Sequence, residues 1–123
     1  MKKTQTTKAP ESARQRETSE AVEITTFRLA DGLDVAGFIE ANRDIDAWLL
    51  QQPGFVSRRI CQREDGLVVD MLVWTSPEVG RKAASGVVTE MAHSPVHEAI
   101  DQSTVSWSVS PVHHTLFNGA NRK

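Results

Sequence analysis

Polar and apolar positions divide this chain into a tail and six elements. Residues 1–20 hold almost nothing to bury, since Lys, Thr, Gln, Ser, Glu and Arg dominate them. Such a stretch cannot offset the entropy of ordering itself, and it predicts a disordered polar tail. A first strand is predicted over Val22 to Ala30, with Val22 and Ile24 on one face and Phe27 and Leu29 on the other. After Asp31-Gly32, Asp34 is placed to cap a helix. Val35, Phe38, Ile39, Asn42, Ile45, Trp48 and Leu49 give that helix one buried stripe, which Pro53-Gly54 ends. Phe55 to Glu64 and Leu67 to Trp74 read as two further strands around Asp65-Gly66. Thr75-Ser76-Pro77-Glu78 then has the hydroxyl cap, early proline and first-turn acid of a second helix start. Val79, Ala83, Val87, Val88 and Met91 line that helix, and Gly86 within it predicts close packing. Ser94-Pro95 breaks it before a short helical turn over Val96 to Asp101. Thr104 to Val109 forms the last strand, with Pro111 at an edge and residues 118–123 a frayed end.

The order β-α-β-β-α-β predicts an α+β ferredoxin-like fold over residues 21–117, an antiparallel sheet with its helices on one face. The third strand is wholly apolar on one face and apolar but for Asp70 on the other. Leu67, Val69, Met71 and Val73 are expected beneath the helices. Val68, Asp70, Leu72 and Trp74 are then left for a second copy to cover, which predicts a homodimer through the open sheet face. A two-residue loop at Asp65-Gly66 pairs Glu64 with Leu67. It thereby places Ser57, Arg59 and Cys61 on the same face as Asp70, Leu72 and Trp74.

Charge and cysteine content narrow the setting. A net charge of −2 with scattered Lys and Arg gives no nucleic-acid footprint. The single cysteine, Cys61, suits a reducing cytoplasm, and no apolar run is long enough to predict a membrane span. Glu90, His93 and His97 have the spacing of metal ligands on an unbroken helix, but Pro95 interrupts it, so no metal is expected.

Three segments carry a family resemblance: Pro53-Gly54-Phe55, the hairpin running into Asp70 through Glu78, and Met91 through His97. Together they resemble antibiotic-biosynthesis-monooxygenase (ABM) domains of the dimeric α+β-barrel superfamily, over about Val22 to Val109. The resemblance implies a cavity-bearing dimer whose relatives include cofactor-independent, quinone-forming oxygenases and haem-degrading oxygenases. In the haem-degrading branch it aligns Trp74 with a site tryptophan and His93 with the iron ligand. Thr25 falls where that branch has an asparagine, and a hydroxyl cannot reproduce an amide's donor–acceptor pair.

The expected site is a cavity lined by Trp74, Asp70, Arg59, Thr25, Phe27, Cys61 and Leu72, with His93 at its rim. Trp74 supplies a flat wall for an aromatic ligand and one N–H donor. Arg59 is placed to stabilise an enolate, and a desolvated Asp70 to act as base on a phenol. These roles point to a small monooxygenase acting without a cofactor on an aromatic or polyketide-like substrate. The alternatives are a haem-binding or haem-degrading protein with His93 as ligand, and a non-catalytic dimeric binding module in which Arg59 and Asp70 pair.

Overall fold

The computed structural model describes residues 19–119. The predicted tail over residues 1–20 and the frayed end therefore lie largely outside the described residues. Strand β1 (Ala21–Leu29) leads through Asp31-Gly32 into two short helices, α1 (Val35–Ala41) and α2 (Arg43–Leu49). Strands β2 (Phe55–Gln62) and β3 (Val68–Trp74) form a hairpin, followed by helix α3 (Pro77–Thr89). A 3₁₀ turn (Pro95–Ala99) then feeds the long edge strand β4 (Ile100–Pro111). The sheet is antiparallel with order β2-β3-β1-β4, the ferredoxin-like arrangement expected from the element order.

The caps form where the sequence placed them. Asp34 Oδ1 accepts from the Gly37 N–H at 2.9 Å, and Ser76 Oγ from the Val79 N–H at 3.2 Å. The first helix does not run unbroken to Leu49. Asn42 separates it into α1 and α2, because its backbone N–H bonds Ile39 O, a tightened turn, while its side-chain Nδ2 donates to Phe38 O at 2.8 Å. Asn42 is buried, and its break is put to use in the site below.

Two sequence expectations about the sheet are corrected. The hairpin loop holds three residues: Arg63 N–H bonds Leu67 O, Gly66 N–H bonds Arg63 O, and Gly66 takes positive φ (93°). A three-residue loop with glycine in the left-handed position shifts the register by one residue from the two-residue turn. Asp70 consequently pairs with Ile60, Leu72 with Arg58 and Val68 with Gln62, before an irregularity between Phe55 and Ser57. Arg58, not Arg59, therefore shares the Asp70 face.

The helices also cover the opposite face from the one expected. Val68, Asp70, Leu72 and Trp74 are buried beneath them, while Val69, Met71 and Val73 are half-buried on the open side. Both faces of β3 are apolar, so alternation alone does not choose between them; the bulkier set carrying Trp74 joins the core. Phe27 packs on Phe38 with ring centroids 5.1 Å apart, and Phe55 meets Trp74 edge-on at 5.5 Å. Ile45, Leu49, Leu72, Ala83, Val96 and Ala99 complete the core. Gly80 and Gly86 let α3 approach closely: a Cβ at Gly80 would lie 3.0 Å from Trp74 Cδ1, and one at Gly86 2.8 Å from Trp48 Cζ2.

Candidate active site

Between the sheet and its helices lies a cavity of about 490 Å³, the size of an ordinary small-molecule site. β1 contributes Glu23, Thr25 and Phe27 at alternate positions, and β3 contributes Asp70, Leu72 and Trp74 in the same way. Helices α1 and α2 supply Phe38, Asn42, Ile45 and Leu49. The exposed lining residues, Arg81, Ser85, Val88, Gln102, Val105 and Trp107, all come from α3 and β4, so the cavity opens between that helix and the edge strand.

Two polar assemblies are set into the apolar lining. The first is centred on Arg58. Its Nε and Nη2 donate to Asp70 Oδ1 and Oδ2 at 3.0 and 2.6 Å, a bidentate pair. Nη2 also donates to Asn42 Oδ1 and Nη1 to Asp46 Oδ1, each at 2.8 Å. The Arg58 and Asp70 side chains are both only 10% exposed. Burial opposes the guanidinium charge, but the Asp70 bonds and charge outweigh it and raise the Arg58 pKa. The helix break at Asn42 thus turns an amide oxygen toward the buried cation.

The second assembly is Glu23, which is buried and was not anticipated. Oε1 accepts from Trp74 Nε1 at 2.8 Å and Oε2 from Trp107 Nε1 at 2.7 Å. An indole nitrogen can only donate, so this pair of contacts suits the ionised carboxylate, which accepts at both oxygens. Desolvation pushes the Glu23 pKa above the ordinary carboxylate range, and the nearby Asp70 charge adds to the rise. The bonds from Trp107 and Trp74, with the Arg58 charge, restrain it. The signal for Glu23 was present in the sequence: strand alternation puts it on the face of Thr25 and Phe27.

The residues expected from sequence divide cleanly. Thr25, Phe27, Asp70, Leu72 and Trp74 line the cavity, and Thr25 is the cross-strand partner of both Asp70 and Trp107. Arg59 and Cys61 are exposed on the opposite face, beside Met71 and Val69, as the shifted register requires. Arg59 bonds Ser57 Oγ at 3.2 Å and makes no pair with Asp70. His93 is exposed and does not line the cavity, so it is not placed to bind a haem there. The imidazole that does line it is His97, whose Nε2 lies 2.9 Å from Met91 O. A carbonyl oxygen only accepts, so Nε2 carries the hydrogen. Among the described residues no three His, Cys, Asp or Glu side chains converge as metal ligands, and no helix is long and apolar enough to cross a membrane.

No family model matches the sequence, and no curated protein matches it significantly. Solved structures do share its fold. SnoaB of Streptomyces nogalater, described as a cofactor-independent oxygenase, aligns over 80% of this chain and 97% of its own at 20% identity, with a TM-score of 0.62. The ActVA-Orf6 monooxygenase of Streptomyces coelicolor, solved with the ligand nanaomycin D, aligns over 83% and 95% at 18% identity and a TM-score of 0.63. A dimeric ferredoxin-like protein from an uncultured marine organism aligns over 86% and 98% at 9% identity and a TM-score of 0.62. Putative antibiotic biosynthesis monooxygenases are also among the structural neighbours, the type that the sequence resembles.

Proposed function

We propose that this chain is a small monooxygenase that oxidises a hydroxylated, polyketide-like aromatic substrate without metal or flavin, with Glu23 as the base. The observation that carries this reading is a buried carboxylate of raised pKa at the wall of an apolar, aromatic-lined cavity of about 490 Å³. The fold likeness to SnoaB and ActVA-Orf6 supports it.

In this mechanism Glu23 takes the phenolic proton of a ring lying against Trp74. The resulting anion passes one electron to O₂, and the aryloxyl and superoxide radicals combine at a ring carbon. Glu23 returns its proton to the outer peroxide oxygen, the carbon loses its hydrogen as a proton, and the O–O bond breaks with hydroxide leaving to take up that proton as water. The products are a quinone and one water, so the substrate supplies both electron pairs that reduce O₂. Removing water from around Glu23 strengthens it as a base. Trp74 and Trp107 hold the carboxylate in place through their N–H groups. Asp70, clasped at both oxygens by Arg58, anchors the cavity floor and leaves the proton transfer to Glu23.

The same reading includes a homodimer through the open sheet face. That face carries cross-strand rows Ser57–Val73–Val22–Ser110 and Arg59–Met71–Ile24–Ser108. Its apolar centre of Val22, Ile24, Met71 and Val73 is rimmed by hydroxyls and Arg59, the composition of an interface patch. A structural neighbour is described as dimeric. Oxygen uptake with a panel of anthrones and hydroxynaphthalenes, in the presence of a chelator, tests the activity. Turnover that falls at least about 100-fold in Glu23→Gln supports the reading, by the usual contribution of a positioned base. Turnover unchanged by that substitution, or absent across the panel, contradicts it.

A further inference from the structure

We infer that Arg81 selects substrates bearing an acidic substituent, holding that group at the cavity mouth so that the phenolic end points inward to Glu23. The charges lining the cavity carry this assignment. Arg58 is saturated by Asp70, Asp46 and Asn42, and the Glu23 carboxylate accepts at both oxygens from indoles. Arg81 also lines the cavity, yet among the described residues it forms no ion pair and no side-chain hydrogen bond.

Its position on α3 gives that charge a direction. Arg81, Ser85 and Val88 recur at helical spacing, all three are exposed, and all three line the cavity at its open side. A guanidinium fork with a hydroxyl one turn away suits a carboxylate. The interior has the opposite character: Glu23 and Asp70 set two carboxylates against the single Arg58 cation. An anionic group entering first would meet that excess negative charge with little water to screen it. The acid end therefore stays out at Arg81 while the neutral phenol reaches the base.

This orientation rests on the oxygenase reading, but the binding preference is measurable without turnover. The probes are anthraquinone-2-carboxylate and its methyl ester, neither of which is a substrate, titrated against tryptophan fluorescence of the full chain. The acid is expected to bind about tenfold more tightly than the ester, the measure of one charge-assisted pair. Arg81→Gln is expected to abolish the difference and Arg81→Lys to restore part of it. An acid preference that survives in Arg81→Gln, or no preference in the unsubstituted chain, overturns the assignment. A preference lost in Arg81→Gln, in a protein that oxidises no member of the aromatic panel, upholds Arg81 and removes only the oxygenase reading.

Discussion

Glu23 and Arg58 sit on the same sheet face and meet burial in opposite ways. Arg58 is neutralised by Asp70 and further bonded by Asp46 and Asn42, so its cost of burial is met by partners. Removing one member leaves the other uncompensated. Arg58→Met is expected to cost about 3–5 kcal/mol in urea unfolding, and adding Asp70→Leu to recover most of it. Glu23 has donors but no dedicated cation, and its pKa rises. A raised folded-state pKa means that the folded chain holds the proton more tightly than the unfolded chain. Its contribution to stability is therefore full below the ordinary carboxylate range and is lost as pH rises through the folded value. Glu23→Gln is expected to remove that part of the pH dependence of unfolding.

Helix α3 is fitted to two indoles through two glycines. Alanine at position 86 gains about 1 kcal/mol of helix propensity but sets a Cβ 2.8 Å from the Trp48 ring. Overpacking of this kind costs about 1–3 kcal/mol. Gly86→Ala is accordingly expected to lower the unfolding free energy by thermal or urea denaturation, against its propensity. At this scale the sequence was legible wherever a local rule acted alone. Capping by Asp34 and Ser76, the proline start of α3 and the element order all follow from residue type and spacing. The register did not, because Asp65-Gly66 fits two loop lengths and one residue exchanges Arg59 for Arg58. Nor did the covered face of β3, since both of its faces are apolar and the choice depends on volume packed across the sheet. The break at Asn42 depends on a bond to Phe38 O within an otherwise continuous apolar stripe.

Among the described residues, one sheet face is turned to the helices and cavity and the other is left open. Dimerisation through the second face is expected to show as twice the chain mass in sedimentation equilibrium. Met71→Lys, at the centre of that face, is expected to shift the population to the chain mass. Substitutions in the cavity should leave the mass unchanged. The cavity itself is defined by Glu23 held between Trp74 and Trp107, and the pH dependence of kcat/KM for oxidation of a hydroxynaphthalene tests that arrangement most directly. An acid limb above the ordinary carboxylate range is expected. Trp74→Phe or Trp107→Phe should move it upward, since each deletes a hydrogen bond that favours the charged carboxylate. Glu23→Gln should remove the limb along with most of the rate. An acid limb that stays in place in both tryptophan variants, or persists in Glu23→Gln, would contradict Glu23 as the base.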